Sequence, residues 1–205
     1  MWSTSARYDG HADWYKDWNL PHAARTAPEL ADLLGAGKGL CLDLGCGGGI
    51  YCDVLAATGR TVVGRDRSAD QLRFARNRPG QIVQGDAAAL PFADGSFSAV
   101  AAIWISTDVD DFAPVLAEAA RVLQPGGQMA FYGAHPCFNG PHIEWLDDGG
   151  VRAHPSYRQS GWHEESPWWG GLRAQASGDA TSPAGGATDR LPERGPAHRA
   201  GHRGR

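Results

Sequence analysis

The sequence predicts an α/β protein with a Rossmann-like, doubly wound and mostly parallel sheet. Residues 40–44 form an apolar stretch that runs directly into a glycine-dense turn at 45–49, and three more strand-like segments follow with helical stretches between them. Strands that alternate with helices build parallel sheets. With 205 residues, the chain is long enough for one such domain and too short for two ordinary ones.

The first unit of this pattern is a strand, a glycine turn and a helix. Glycines accept positive φ and have no Cβ, so the turn at 45–49 can bend sharply and present backbone N–H groups to a ligand. Residues 50–57 place Ile50, Val54 and Leu55 on one apolar face, which predicts a helix. Dinucleotide-binding and sulfonium-binding folds both use such a turn, so the turn alone does not choose between them.

The next three strands are predicted at 61–66, 81–84 and 98–105. Asp66 ends the first of them, about 20 residues beyond the turn, where a ribose-binding carboxylate is expected. Asp86 follows the second, and the third is almost continuously apolar, as a strand covered on both faces should be. Because parallel strands end at one edge of the sheet, both carboxylates are expected at the ligand edge.

The C-terminal half predicts one more helix and strand before the pattern stops. Residues 112–123 carry a helical apolar face, Pro and Gly follow at 125–127, and 128–133 predict a fifth strand. Residues 134–170 are rich in Trp, His, Pro and Gly without clear periodicity, which suits a substrate loop or lid.

The last segment, 171–205, is a predicted low-complexity, disordered tail, which leaves 1–170 as the domain. Its only large aliphatic residues are Leu172 and Leu191, too few to build a packed face. It is either natural low-complexity sequence or the product of a reading frame lost near Gly170, and its Arg, Ala, Gly and Pro bias favours the second. No C-terminal strand hairpin is predicted.

Four segments together resemble the class I S-adenosylmethionine-dependent methyltransferases of the small-molecule type, similar to methyltransferase type 11. They are residues 43–49, 63–68, 85–97 and 118–127. The resemblance covers about residues 40–135 and implies S-adenosyl-L-methionine as cofactor, a small-molecule methyl acceptor, and in-line displacement in which the protein mainly positions the reactants.

The resemblance also implies nine cofactor contacts: Asp43, Gly45, Cys46, Gly47, Asp66, Arg67, Asp86, Ala87 and Ile105. Asp43 would lie near the ammonium group, Asp66 would accept hydrogen bonds from both ribose hydroxyls, and Ile105 would lie beside the methionine portion. Asp86 would accept a hydrogen bond from the adenine amino group, and the backbone N–H of Ala87 would contact the adenine ring. The alternative for Asp66 and Asp86 is helix N-capping.

The resemblance leaves the N-terminal region and one strand position open. The N-terminal region contains Trp14, Tyr15 and Trp18, followed by an amphipathic stretch at 28–34. In one interpretation this region packs over the cofactor site, as the equivalent helical segment does in the family. In the other, the three aromatic residues anchor the helix to the sheet. Arg65 stands where the family has an apolar residue, and we expect its charge to face the outer layer.

Three residues are candidate general bases: His135, Asp108 and His142. An oxygen or nitrogen acceptor requires a base within hydrogen-bond reach, and each candidate follows a strand at the ligand edge. His135 ranks first, although an isolated histidine is more often a loop residue bonded to backbone. No metal is expected, since His163 and the two glutamates after it lack the zinc-helix spacing.

Composition excludes several other classes. A net charge of -4 and a pI of about 6.0 argue against a nucleic-acid partner, and the sequence predicts no membrane span, no signal peptide and therefore a cytoplasmic location. The four cysteines show no CxxC pairing. The oligomeric state stays open. One alternative is a truncated or frameshifted relative that is inactive or only binds cofactor; a nicotinamide-dependent oxidoreductase ranks last, because the turn lacks the G-x-G-x-x-G spacing.

Overall fold

Five parallel strands form the central sheet, and the carboxyl ends of these strands lie at one edge. The computed structural model describes residues 6, 8–133, 135, 142–146, 148–155, 161–164 and 173–176. The strands are β1 (Leu40–Leu44), β2 (Thr61–Asp66), β3 (Gln81–Gln84), β4 (Phe97–Ile103) and β5 (Leu123–Tyr132). Their order is β3-β2-β1-β4-β5, so the chain reverses its direction of growth between β1 and β4. Ligands bind at such a switch point, and the predicted Rossmann-like fold class is confirmed.

Four helices and one short turn connect and cover the strands. They are α1 (Ala12–Leu34), α2 (Cys52–Ala57), α3 (Ala69–Ala75), a single 3-10 turn (Ile105–Thr107) and α4 (Phe112–Val122). Ser68 caps α3, since its Oγ accepts from Gln71 N at 3.1 Å. Asp111 caps α4 through Ala113 N at 2.9 Å. Both helices therefore begin at polar side chains that satisfy free backbone donors.

Alternate residues of β1 pack into two apolar layers, one on each face of the sheet. Cys41 belongs to the layer that contains Leu30 of α1 and Leu55 of α2. Leu42 belongs to the opposite layer, with Val115 of α4. Because side chains alternate along a strand, both faces of β1 are covered by apolar layers. A ligand can therefore reach β1 only at its carboxyl end.

Helix α1 is much longer than the amphipathic stretch at 28–34 that predicted it. It begins at Ala12 and contains Pro21 and Pro28. Trp14 is 36% exposed, and its ring stacks on that of Trp18 at 6.0 Å. The core contacts of α1 include smaller residues such as Leu30, and whether the aromatic residues cover the cofactor site or anchor the helix stays a prediction. No helix in the described part of the chain is long and apolar enough to cross a membrane.

Two strand boundaries differ from the sequence prediction by more than one residue. Strand β4 ends at Ile103 instead of residue 105, because Trp104 adopts a left-handed conformation with φ 61° and a 3-10 turn follows. Strand β5 begins at Leu123, which pairs with Phe97 before the register shifts. Backbone conformation, which apolar periodicity does not report, sets both limits.

Four short strands follow where the sequence predicted a loop and a tail. Strand β6 (Ile143–Trp145) pairs antiparallel with β7 (Val151–Ala153), and β8 (Gly161–Glu164) with β9 (Arg173–Ala176). These short segments carry no run of consecutive apolar residues such as the Ile82 and Val83 that indicated β3. Neither pair joins the central sheet in the part of the chain that the structure describes. Strand β9 lies inside the 171–205 segment; the rest of that segment is outside the described residues, so its disorder and the boundary at 170 stay predictions.

A buried arginine at the opposite edge of the sheet fastens α1 to the domain. The Arg60 side chain donates to the carbonyls of Leu34 and Gly35 at 3.2 and 2.8 Å and to Gln128 Oε1 at 3.2 Å. The last carbonyls of a helix have no intrahelical partner. Arg60 therefore satisfies the C-terminus of α1 and connects it to β5.

We expect Arg60→Met to lower the free energy of unfolding by about 2–3 kcal/mol, because it leaves these acceptors without a charged donor. The melting temperature should fall by about 5–10 °C for a chain of this size. The control is Arg76→Met at an exposed position, which should change stability by less than about 0.5 kcal/mol. Equal effects of the two variants would show that Arg60 does not hold α1.

Candidate functional site

The glycine turn after β1 is closed on two sides by neighbouring elements. Gly45, Gly47 and Gly49 have φ values of 76°, 50° and 71°. A Cβ on Gly45 would lie 2.8 Å from Ile105 Cδ1, and one on Gly49 would lie 3.0 Å from the Cα of Ala75. The turn thus requires glycine for its conformation and for the close approach of the 3-10 turn and α3.

Asp66 joins this turn to the end of β2. Its Oδ2 accepts from Gly47 N at 2.7 Å, and its Oδ1 accepts from Ser68 N at 2.8 Å. Burial raises the pKa of Asp66, and these backbone hydrogen bonds oppose that shift. Each carboxylate oxygen can accept more than one hydrogen bond, so capacity for a ligand remains. The cap of α3 is Ser68, not Asp66.

Asp43 is a buried carboxyl group beneath the turn. It is 1% exposed, and Cys52 Sγ donates to its Oδ2 at 3.7 Å. Burial raises the pKa of Asp43 to about 7, and the nearby Asp66 carboxylate adds to the shift. No Lys or Arg forms an ion pair with it within the described residues. A buried carboxylate requires a compensating charge, so this position fits the ammonium group of a ligand.

Asp86 occupies the loop after β3, and Arg65 supports that loop from below. The Oδ1 of Asp86 accepts from Ala88 N at 2.9 Å in a turn without a helix, so Asp86 does not cap a helix. Arg65 is only 7% exposed, contrary to the expected outward charge, and donates to the carbonyls of Gln84 and Ala89 at 2.7 and 3.1 Å. Burial lowers the pKa of Arg65. The Arg65 guanidinium thus forms hydrogen bonds that fix the loop, where the apolar residue of the family would make only van der Waals contacts.

The remaining predicted cofactor residues lie around the same edge. Ile105 is 7% exposed in the 3-10 turn and contacts the glycine turn. Cys46 is buried with a thiol whose pKa is raised by burial, so only its backbone can serve a ligand readily. Arg67 is exposed, and its carbonyl accepts from Gln84 Nε2 at 3.1 Å. Ala87 is half-buried in the Asp86 loop.

The three candidate bases come from different elements. Asp108 follows the 3-10 turn and is half-buried, and its Oδ1 accepts from Tyr8 Oη at 3.2 Å. His135 is exposed just beyond β5. His142 is 5% exposed and precedes β6. Asp108 follows β4 through the 3-10 turn, and His135 follows β5, so both come after the carboxyl ends of strands in the central sheet. Within the described residues, no group of three His, Cys, Asp or Glu could hold a metal ion.

The N-terminal residues reach this edge through contacts that the sequence did not reveal. Asp9 Oδ1 accepts from Ser68 Oγ at 2.6 Å, and Asp70 Oδ2 accepts from Gly10 N at 2.9 Å. With the Tyr8 contact, they hold the start of the chain against the ends of β2 and β4. These pairs are about 60 to 100 residues apart in sequence, and no local pattern indicates them. The sequence does indicate that Ser68 begins a helix, because a Ser followed three residues later by Gln71 is typical of a helix start. It does not indicate that Asp9 binds Ser68.

The geometry agrees with matches to known proteins. A family model described as "Methyltransferase domain" matches residues 42–131. The fatty-acid O-methyltransferase of Mycolicibacterium smegmatis is 40% identical over 110 residues, 51% of this chain and 39% of that protein. The demethylmenaquinone methyltransferase of Mycobacterium sp. (strain KMS) is 41% identical over 102 residues, 49% of this chain and 44% of that protein. The chain therefore spans less than half the length of either relative.

A solved structure shows the same fold. The S-adenosylmethionine-dependent methyltransferase from Mesorhizobium loti superposes with a TM-score of 0.58 at 22% identity, over 74% of this chain and 73% of that one. Rossmann-like methyltransferases and dinucleotide-binding proteins share a parallel sheet of this order, with a glycine turn after β1 and an acidic residue ending β2, and the family model favours the methyltransferases. Residues 42–131 thus match a methyltransferase domain in sequence, and the fold is that of the S-adenosylmethionine-dependent methyltransferase from Mesorhizobium loti.

The raised pKa of Asp43 predicts a pH dependence of stability. The folded protein holds a proton at a pKa of about 7, whereas the unfolded chain releases it near 3.8, so stability should fall as the pH rises from about 4 to about 7. The fall from this group is on the order of 4 kcal/mol. Asp43→Asn should flatten the melting temperature across this window without ligand, with a smaller slope left by Asp66. Asp32→Asn, on the exposed side of α1, should leave the slope unchanged; an unchanged slope in Asp43→Asn would refute the shift.

Proposed function

We propose that the protein binds S-adenosyl-L-methionine and transfers its methyl group to a small-molecule acceptor. The observation that carries this proposal is the 2.7 Å hydrogen bond from Gly47 N to Asp66 Oδ2, which joins the turn after β1 to the acid ending β2. It supports one continuous binding edge, with the buried Asp43 carboxyl on the β1 side and the Asp86 loop on the β3 side.

The residues at this edge match the parts of the cofactor. Asp43 would hold the ammonium group, Asp66 the ribose hydroxyls, and Asp86 with the Ala87 N–H the adenine ring. Ile105 would bound the methionine portion. When bound, the cofactor supplies a sulfonium methyl group that a nucleophile can take. The buried carboxyls add electrostatic attraction for a positively charged ligand, because opposite charges interact strongly away from water.

The contribution of the protein to the transfer would be positioning. In-line displacement requires the acceptor to lie opposite the breaking bond, and most of the rate then comes from orientation. Asp108 is the best-supported base for an oxygen or nitrogen acceptor, because it lies after β4 at the ligand edge and Tyr8 orients it. His135 and His142 remain candidates, since both follow β5 in the chain. A carbon acceptor needs less base assistance.

The acceptor we propose is an apolar small molecule. Two relatives are named for a fatty acid and for demethylmenaquinone, and the net charge of -4 offers no basic footprint for a nucleic acid. A long-chain fatty acid and a demethylated quinol are therefore the first acceptors to test. A relative that binds cofactor without transfer would bind in the first experiment below and fail in the second.

We expect S-adenosylhomocysteine to bind by titration calorimetry and NAD not to bind. Asp66→Ala should weaken S-adenosylhomocysteine about 10- to 100-fold, because the loss of its carboxylate leaves buried hydroxyls unpaired. Asp53→Ala is the matched control and should bind normally, because it removes an exposed carboxylate of α2 that pairs with Arg78. Binding of NAD alone would overturn the assignment, and full affinity in Asp66→Ala would remove Asp66 from the site.

For a quinol acceptor, whose hydroxyl must lose a proton, Asp108→Asn should reduce methyl transfer about 100-fold while S-adenosylhomocysteine affinity stays within about twofold, because a general base contributes to the rate and not to cofactor binding. Tyr8→Phe should cause a smaller loss, since it only removes the hydrogen bond that orients the carboxylate. The assay follows methyl transfer from labelled cofactor. An undiminished rate in Asp108→Asn would leave His135 and His142 as the candidates.

A further inference from the structure

Gln71 is a buried side chain whose carboxamide lacks the partners that burial demands. The residue is 2% exposed, yet neither Nε2 nor Oε1 has a hydrogen-bond partner within the described residues. Its backbone N–H is already used by Ser68 Oγ at 3.1 Å, so the side chain has no part in the cap of α3. Folded proteins pair almost all buried polar groups. An unpaired carboxamide here points to a group from outside the chain.

The carboxamide faces the glycine turn of the candidate site. A Cβ on Gly47 would lie 3.7 Å from Gln71 Oε1, and one on Gly48 would lie 3.5 Å from it. The N–H of the same Gly47 donates to Asp66 at 2.7 Å. Thus the carboxamide and the Asp66 carboxylate converge on one turn, from α3 and from β2. Since neither glycine has a Cβ, no side chain of the turn lies between the amide and the turn backbone.

The two groups have complementary hydrogen-bonding chemistry. An ionised carboxylate only accepts, whereas a carboxamide both donates and accepts. A hydroxyl that donates to Asp66 still has oxygen lone pairs that seek a donor, and Gln71 Nε2 is such a donor. A vicinal diol can therefore bond to both side chains, because its hydroxyls donate to Asp66 and accept from Gln71. A purely apolar group or a single carboxyl group would not use both.

We propose that Gln71 recognises the ribose hydroxyls of the cofactor together with Asp66, so that the pair determines selectivity for the ribose. This inference rests on the proposed function. Gln71 acts here as a binding residue, and Met is the informative replacement because it has a similar size and no amide. Similar volume keeps the core packed, and removing an unpaired amide should leave the ligand-free melting temperature equal or higher.

The test compares wild type, Gln71→Met and the control Gln81→Met, which makes the same change at an exposed position at the start of β3. Calorimetry uses S-adenosylhomocysteine, its 2′-deoxy and 3′-deoxy analogues, and S-inosylhomocysteine. Gln71→Met should weaken S-adenosylhomocysteine about 10-fold and reduce the preference for ribose over at least one deoxyribose analogue. The preference for adenine over hypoxanthine should not change, and Gln81→Met should match wild type.

The outcomes separate this inference from the proposed function. If wild type does not bind S-adenosylhomocysteine, both fall. If wild type binds and Gln71→Met binds equally with the same ribose preference, only the role of Gln71 falls. A lower ligand-free melting temperature in Gln71→Met than in wild type would show that the amide already has a partner, such as a buried water, and would also overturn it. Changed adenine selectivity would assign the amide to the base and not the ribose.

Discussion

The hydrogen bond between Gly47 N and Asp66 Oδ2 is the contact on which the binding edge depends. It joins the ends of two adjacent strands, and it forms only because the turn bends with positive φ at Gly45, Gly47 and Gly49. Any side chain at Gly45 or Gly49 would collide with Ile105 or with α3. The glycines therefore permit a close three-way packing of turn, 3-10 turn and helix, and that packing places a carboxylate at the ligand edge.

This edge concentrates negative charge in a place with little water. Asp43 and Asp66 are both buried enough for their pKa values to rise, and the Asp66 carboxylate disfavours the ionised form of Asp43. Without a cation, the site opposes the stability of the domain near neutral pH. A ligand with a positive charge relieves the same conflict, so binding and stability are linked: the ligand stabilises the folded form that holds it. The electrostatics thus favour a cationic cofactor over an anionic dinucleotide.

Two arginines hold the loop between β3 and β4 from opposite ends. Arg65 donates to backbone carbonyls from Gln84 to Ala89. Arg121 donates to the carbonyls of Leu90 and Phe92 and pairs with Glu118, whose Oε2 also accepts from Leu90 N at 2.7 Å. The Glu and Arg of the 118–127 motif therefore have a structural role. They fix the loop that begins with Asp86, and the motif supports the site without touching the cofactor edge itself.

The sequence by itself determined the five strands of the central sheet, the glycine turn and the acids at the ends of β2 and β3, because periodicity, glycine content and strand-end position are local properties. It did not show the inward turn of Arg65, the docking of Asp9 on Ser68, or the unpaired amide of Gln71. Contacts between residues far apart in sequence set these features, and so does backbone conformation, as at Trp104 where β4 ends early. Local pattern thus fixed which groups reach the edge, whereas tertiary packing decided which of them are buried, charged or left for a ligand.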